Sequence, residues 1–134
     1  MTVLSLAARM ARVTALRQVI DGEGGGQMLL CEGAPPATPD TALSSATLAV
    51  LALASPHCGM VEDIDGVATL TVEPGTTLAI AMGTVGFVRV ADGAGNGVMD
   101  LLAGTVGSGM PAILKALTVY AGGEVKLMSC RIRE

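Results

Sequence analysis

SLAARMARVTALRQVIDGEGGG, residues 5–26, is the stretch on which the fold turns. Leu6, Met10, Val13, Leu16 and Ile20 recur at steps of four, three, three and four, which sets all five on one stripe of a helix. Ser5 is placed to cap its start, and Arg9, Arg12 and Arg17 fall away from the stripe. Asp21-Gly22-Glu23-Gly24-Gly25-Gly26 ends the helix, and the helical period does not return. Read this way, residues 1–22 form an amphipathic arm tethered by a flexible glycine joint, and residues 23–134 form a separate β domain.

Beyond the joint, short β-branched or aliphatic runs alternate with turn residues. Strands are expected at Gln27–Glu32, Thr47–Leu53, Val67–Val72, Thr77–Met82, Gly86–Val90, Val98–Leu102, Ile113–Val119 and Val125–Ile132. Asp92-Gly93-Ala94-Gly95-Asn96-Gly97 marks a hairpin, and Pro35, Pro36 and Pro39 mark a connection that cannot supply ladder donors. About eight short strands with regular turn signals predict an antiparallel β-sandwich or jelly roll behind one N-terminal helix. No helix longer than two turns is expected after residue 27. Ala46–Ala54 is the run that also suits a helix.

The composition favours burial against neighbours. Hydrophobic residues make up 51 % of the 134, charged residues 15 %, and mean hydropathy is +0.61. An average domain has about 25 % charged residues, so too few charges are present to cover a monomer. The plainer account is that small Ala and Gly side chains inflate the count. With no Trp, one Phe and one Tyr, the core must be aliphatic, and base or sugar stacking has no platform. Net charge is −4, split as +3 over residues 1–20 and −7 over the remainder. An acidic body argues against nucleic acid, which needs clustered Lys and Arg. The three arm arginines suit an acidic groove on a sister subunit, or simply solvent.

Chemistry is sparse in the sequence. Cys31, Cys58 and Cys130 have unrelated spacings, so free buried thiols are expected rather than disulfides or zinc. Glu62-Asp63-Ile64-Asp65-Gly66 echoes a calcium loop but lacks its later ligands, and a solvated turn is expected there. His57 and Cys58 are adjacent, so on a strand they point to opposite faces and do not activate each other. No nucleotide fingerprint or nucleophile elbow occurs. Val3–Ala8 is too short for a signal peptide, and the uncharged Thr41–Val61 stretch is interrupted by Ser, Thr, Pro and His, which excludes a spanning helix. No catalytic residue, metal or cofactor is expected.

Five stretches, AARMARVTALRQVIDGEGGG (7–26), LLCEGAPPATPDTAL (29–43), TLAVLALASP (47–56), GFVRVADGAGNGVMDLLAGTVGSG (86–109) and YAGGEVKLMSCRIRE (120–134), occur in an order that resembles small structural proteins of tailed bacteriophages and prophages. Two positions depart from that pattern: Gly86 stands where an aromatic is usual, and Cys130 where a Phe is. The resemblance implies a virion component, foremost a capsid decoration (cement) protein on the capsid exterior, assembled in the host cytoplasm. Its partners would be the major capsid protein and copies of itself, with no nucleic acid, membrane or small-molecule substrate. A tail or baseplate component is the alternative. A host- or glycan-binding module is disfavoured by the missing aromatics. The arm's Leu6, Met10, Val13, Leu16 and Ile20, flanked by Arg9, Arg12 and Arg17, are the expected subunit contact, the alternative being that the stripe packs on its own sheet.

Overall fold

The computed structural model describes residues 4–22 and 24–133. In chain order the elements are α1 (Leu6–Asp21), β1 (Gln27–Glu32), β2 (Thr47–Ala52), β3 (Gly59–Ile64), β4 (Val67–Val72), β5 (Gly75–Leu78), β6 (Gly83–Ala91), β7 (Gly97–Gly104), β8 (Ala112–Leu114), β9 (Thr118–Val119) and β10 (Glu124–Arg133). The protein is mostly β with one N-terminal helix, and Thr47–Ala52 is a strand.

The strands form one continuous sheet in the order β2-β1-β6-β7-β8-β10-β4-β3, with β9 paired to β6 and β5 to β10. This is a curled half-barrel rather than the jelly-roll sandwich expected from sequence. Its β2 end meets β5 and the residues that follow it: Ile80 donates its N–H to the Leu48 carbonyl at 2.8 Å, and the Thr77 hydroxyl donates to the Val50 carbonyl at 2.9 Å. The free edge of β2 is thereby covered by the segment that follows β5, which removes a pairing hazard.

One pair departs from the expected antiparallel pattern. β7 and β8 run parallel, with Ala103 opposite Ala112 and Gly104 opposite Ile113. A parallel step normally needs a long crossover. Here β8 starts level with the end of β7, so the Thr105–Pro111 loop only has to step sideways by one strand. Beside the first half of β7 the sheet therefore has no neighbour on that side.

The core is aliphatic. Met28 and Leu30 of β1, Leu48 and Leu51 of β2, Leu70 and Val72 of β4, Val88 and Val90 of β6 and Leu127 of β10 are all buried in one cluster. α1 belongs to it: Val13 and Ile20 are buried within the same cluster, and the helix lies against β3 and β4. The Ser5 hydroxyl accepts the Ala8 N–H at 3.2 Å, an N-cap worth about 1 kcal/mol.

The glycine run is not a free tether. Gly26 is buried, and a Cβ there would press into Ile20 and the Ala91 carbonyl. The Gly22 carbonyl accepts N–H groups from Gly25 (3.3 Å) and from Gly93 in the β6–β7 turn (3.1 Å). The helix thus passes to β1 through a packed turn, because only glycine permits so close an approach. Glu23 of that run lies outside the described residues, as do Glu134 and the Met1–Val3 stretch on which the signal-peptide reading partly rested.

The β6–β7 hairpin turns where expected. One Asp92 carboxylate oxygen accepts the N–H groups of Asn96 (2.9 Å) and Ala94 (3.0 Å). These donors, the Asn96 backbone first, hold the carboxyl below its usual range.

Candidate interaction surfaces

The helix stripe, expected to dock on another subunit, is occupied within its own chain. Val13 and Ile20 are buried, and Leu6, Met10 and Leu16 are half-buried against the same core. An intramolecular dock costs less entropy than capture of a neighbour, and a short helix is marginal alone. Arg12 is exposed. Arg9 and Arg17 are half-buried, and the Nε atom of each is shielded from solvent without a hydrogen-bond partner. The end of the helix is pinned by Asp21, whose carboxylate accepts the Cys58 N–H at 2.8 Å and lies 3.4 Å from His57 Nδ1.

The exposed apolar surface lies elsewhere. From Gly75 to Val88 the chain carries no charge. Leu78, Ile80 and Met82 alternate outward along it, 62 %, 66 % and 68 % exposed, while Ala79 is buried beneath. Tyr120 stands beside them at 63 % exposure, because the Gly122 N–H is bonded to the Ala79 carbonyl at 2.8 Å. Past Leu78 the segment bends at Ile80 and Ala81 rather than continuing as a strand, and the large side chains stay exposed while Ala79 is buried and Ala81 half-buried. Large exposed apolar side chains gathered in one region make this a candidate interaction surface.

A second surface is concave. Where the short β8 leaves β7 unpaired, a groove of about 760 Å³ opens between β7, β10 and the loop before β8. Met99, Leu101, Met110, Ile113 and Met128 give it an apolar, adaptable wall, and Arg131 and Arg133 are the charged groups in its lining.

The third feature lies under the proline-rich connection. Arg89 is 5 % exposed and is the one charged residue on β6. It meets Asp100 across the β6–β7 pair through two bonds, Nε to Oδ1 at 2.8 Å and Nη2 to Oδ2 at 3.1 Å. The same guanidinium donates to the carbonyls of Thr41 (2.6 Å) and Thr38 (3.4 Å). Residues 33–46 therefore cross the outer face of β1, β6 and β7 as a strap. A Cβ at Gly86 would fall on the Gly33 carbonyl, which is why an aromatic has no room there. Phe87 and Cys31 are buried beneath the strap, outside the main core cluster. The Asp100 carboxylate holds Arg89 firmly protonated. Sequence reasoning passed over this pair. The Asp92–Gly97 turn already fixes the register that sets residue 89 opposite residue 100.

The remaining titratable groups do not converge. Burial pushes the thiols of Cys58 and Cys130 up to about 12, and raises Cys31 as well, so at neutral pH all three are protonated and poor nucleophiles. His57 is exposed while Cys58 is buried. The acidic stretch is in part a strand that sequence reasoning took for a turn: Glu62 and Asp63 lie on β3, and Asp63 Oδ1 caps the following bend by accepting the Gly66 N–H at 2.8 Å. Among the described residues no group of three His, Cys, Asp or Glu is placed to hold a metal, and no helix is long and apolar enough to cross a membrane. Comparisons with protein families, curated proteins and solved structures found no match to this chain.

Proposed function

We propose that this protein is a structural component of a tailed-bacteriophage virion, a decoration protein that attaches to the major capsid protein from outside and associates with copies of itself. The observation that carries the reading is the charge-free ridge of Leu78, Ile80 and Met82 with Tyr120, each more than three-fifths exposed. Burying four such side chains contributes on the order of 5 kcal/mol before ordering costs, modest for one contact but multiplied by a symmetric lattice. The half-barrel suits this role, since one edge is closed by its own chain and the ridge is held on a rigid body. The ordered series of phage-like stretches points the same way.

Quantifying this protein in purified particles tests the reading. The expected result is a copy number approaching that of the major capsid protein, retained on tailless heads. A few copies per particle, found with isolated tails, would transfer the protein to the tail or baseplate. Its absence from particles would overturn the virion role.

A further inference from the structure

The groove beside β7 is the place of a missing strand. β7 is held by β6 along Gly97–Leu102 but by β8 only through Ala103 and Gly104, and no other backbone bond among the described residues reaches Val98–Leu102. On the opposite wall the last bond towards β8 runs from the Arg131 N–H to the Pro111 carbonyl at 3.1 Å, short of the end of β10 at Arg133. β8 itself lies between the two walls, with Ala112 paired to Ala103 on one side and to Cys130 on the other. β7 and β10 are therefore two strand spacings apart, about 10 Å, and where β8 has not yet begun that gap takes one extended chain. Its two faces differ. Met99 and Leu101 stand opposite the buried Val90 and Val88, and Ile132 is itself buried, so the inner side of the gap is apolar. Arg131 and Arg133 alternate with Ile132 and are exposed on the outer side. No acid lines the groove, and among the described residues neither arginine has an ion-pair partner.

We propose that this gap receives an extended segment of another protein, added as a strand to the edge of β7, with apolar and acidic side chains in alternation. A bare strand edge offers a row of N–H and C=O groups that an extended backbone satisfies as a set. A period of two then turns alternate side chains to opposite sides of the sheet. The inward row meets Met99, Leu101 and Ile132, and the nearby Met110 and Met128 adapt to differing shapes. The outward row comes beside Arg131 and Arg133, which selects carboxylates. Asp100, also outward on β7, does not oppose this, because Arg89 already neutralises it. Among the described residues the runs of this chain that mix apolar and acidic side chains, in β3 and β7, are already paired in the sheet, so the segment comes from a different protein. The proposal goes beyond the reading above and does not rest on it. A protein found missing from particles would end the virion reading and leave the strand site standing.

Binding of fluorescent peptides to the full chain, read by polarisation, tests it. The probe is a short capped peptide alternating valine and glutamate. One control carries lysine in place of glutamate, and a second is N-methylated on its glutamates, which keeps every side chain and removes the donors of one strand edge. The glutamate peptide is expected to bind saturably, and both controls at least roughly tenfold more weakly. Arg131→Glu/Arg133→Glu changes two exposed side chains, so it should keep the native melting temperature. It should bind the glutamate peptide roughly tenfold or more weakly and gain affinity for the lysine peptide. No binding of the glutamate peptide, equal binding of either control, or a folded double variant that binds as the native protein does would each overturn the proposal.

Discussion

Asp100→Ala is expected to destabilise the protein by about 3 kcal/mol, because it leaves the buried Arg89 guanidinium without its counter-charge. Arg89 and Asp100 have side chains 6 % and 8 % exposed, so water cannot replace the lost carboxylate. The carbonyls of Thr38 and Thr41 remain as partners, which holds the loss at the lower end of the range for such pairs. The strap over residues 33–46 should loosen at the same time, since the guanidinium that anchors it is no longer held in place by the carboxylate. Chemical denaturation and limited proteolysis check both parts. The expected results are a lowered midpoint at unchanged slope, and new cleavage within the strap. The double change Arg89→Met/Asp100→Leu should recover most of the stability but not the strap's protection, because an apolar pair fills the space without binding the two carbonyls. A loss below about 0.5 kcal/mol for Asp100→Ala would mean that the pair behaves as an exposed one.

Ile20→Asp is expected to cost at least 4 kcal/mol, since it removes a fully buried aliphatic side chain and places a carboxylate against Gly26 and the Ala91 carbonyl. For a chain of this size that lowers the melting temperature by more than about 10 °C. Leu16→Asp, at a half-buried position, should cost less. The contrast separates a helix that is part of the core from one that merely rides on it. A melting temperature within about 2 °C of the native value for Ile20→Asp would return the helix to the role of an independent arm.

The hairpin between β6 and β7, the first strand and the helix itself could be read directly. Each depends on neighbours close in sequence: a turn of Gly, Asp and Asn, a short aliphatic run, a stripe at helical spacing. β3 escaped because Glu62 and Asp63 make an edge strand look like a solvated turn, and an edge strand tolerates such residues where a central one does not. The split of Ile113–Val119 into β8 and β9 was equally hidden, as was the shortening of Thr77–Met82 to a strand ending at Leu78. Both follow from which distant strand each segment meets. β8 pairs with β7 and β10, β9 pairs with β6, and Ile80 bonds to the edge of β2. The stripe on α1 was legible, but its destination was not, for the same spacing serves a neighbour's surface or the chain's own sheet. Of the surfaces, the alternation of Leu78, Ile80 and Met82 was in view as a strand. Its exposure was not, because that depends on Ala79 and Ala81 rather than the larger residues facing inward.

The ridge of Leu78, Ile80 and Met82 is the proposed capsid contact, and decoration of particles lacking this protein is its sharpest test. Leu78→Ser/Ile80→Ser/Met82→Ser alters exposed side chains, so the variant should melt within a few degrees of the native protein. Added to such particles, the native protein is predicted to bind to saturation at a copy number close to that of the capsid protein, and the variant to remain in solution. A folded variant that decorates as fully as the native protein would remove the ridge from the capsid contact.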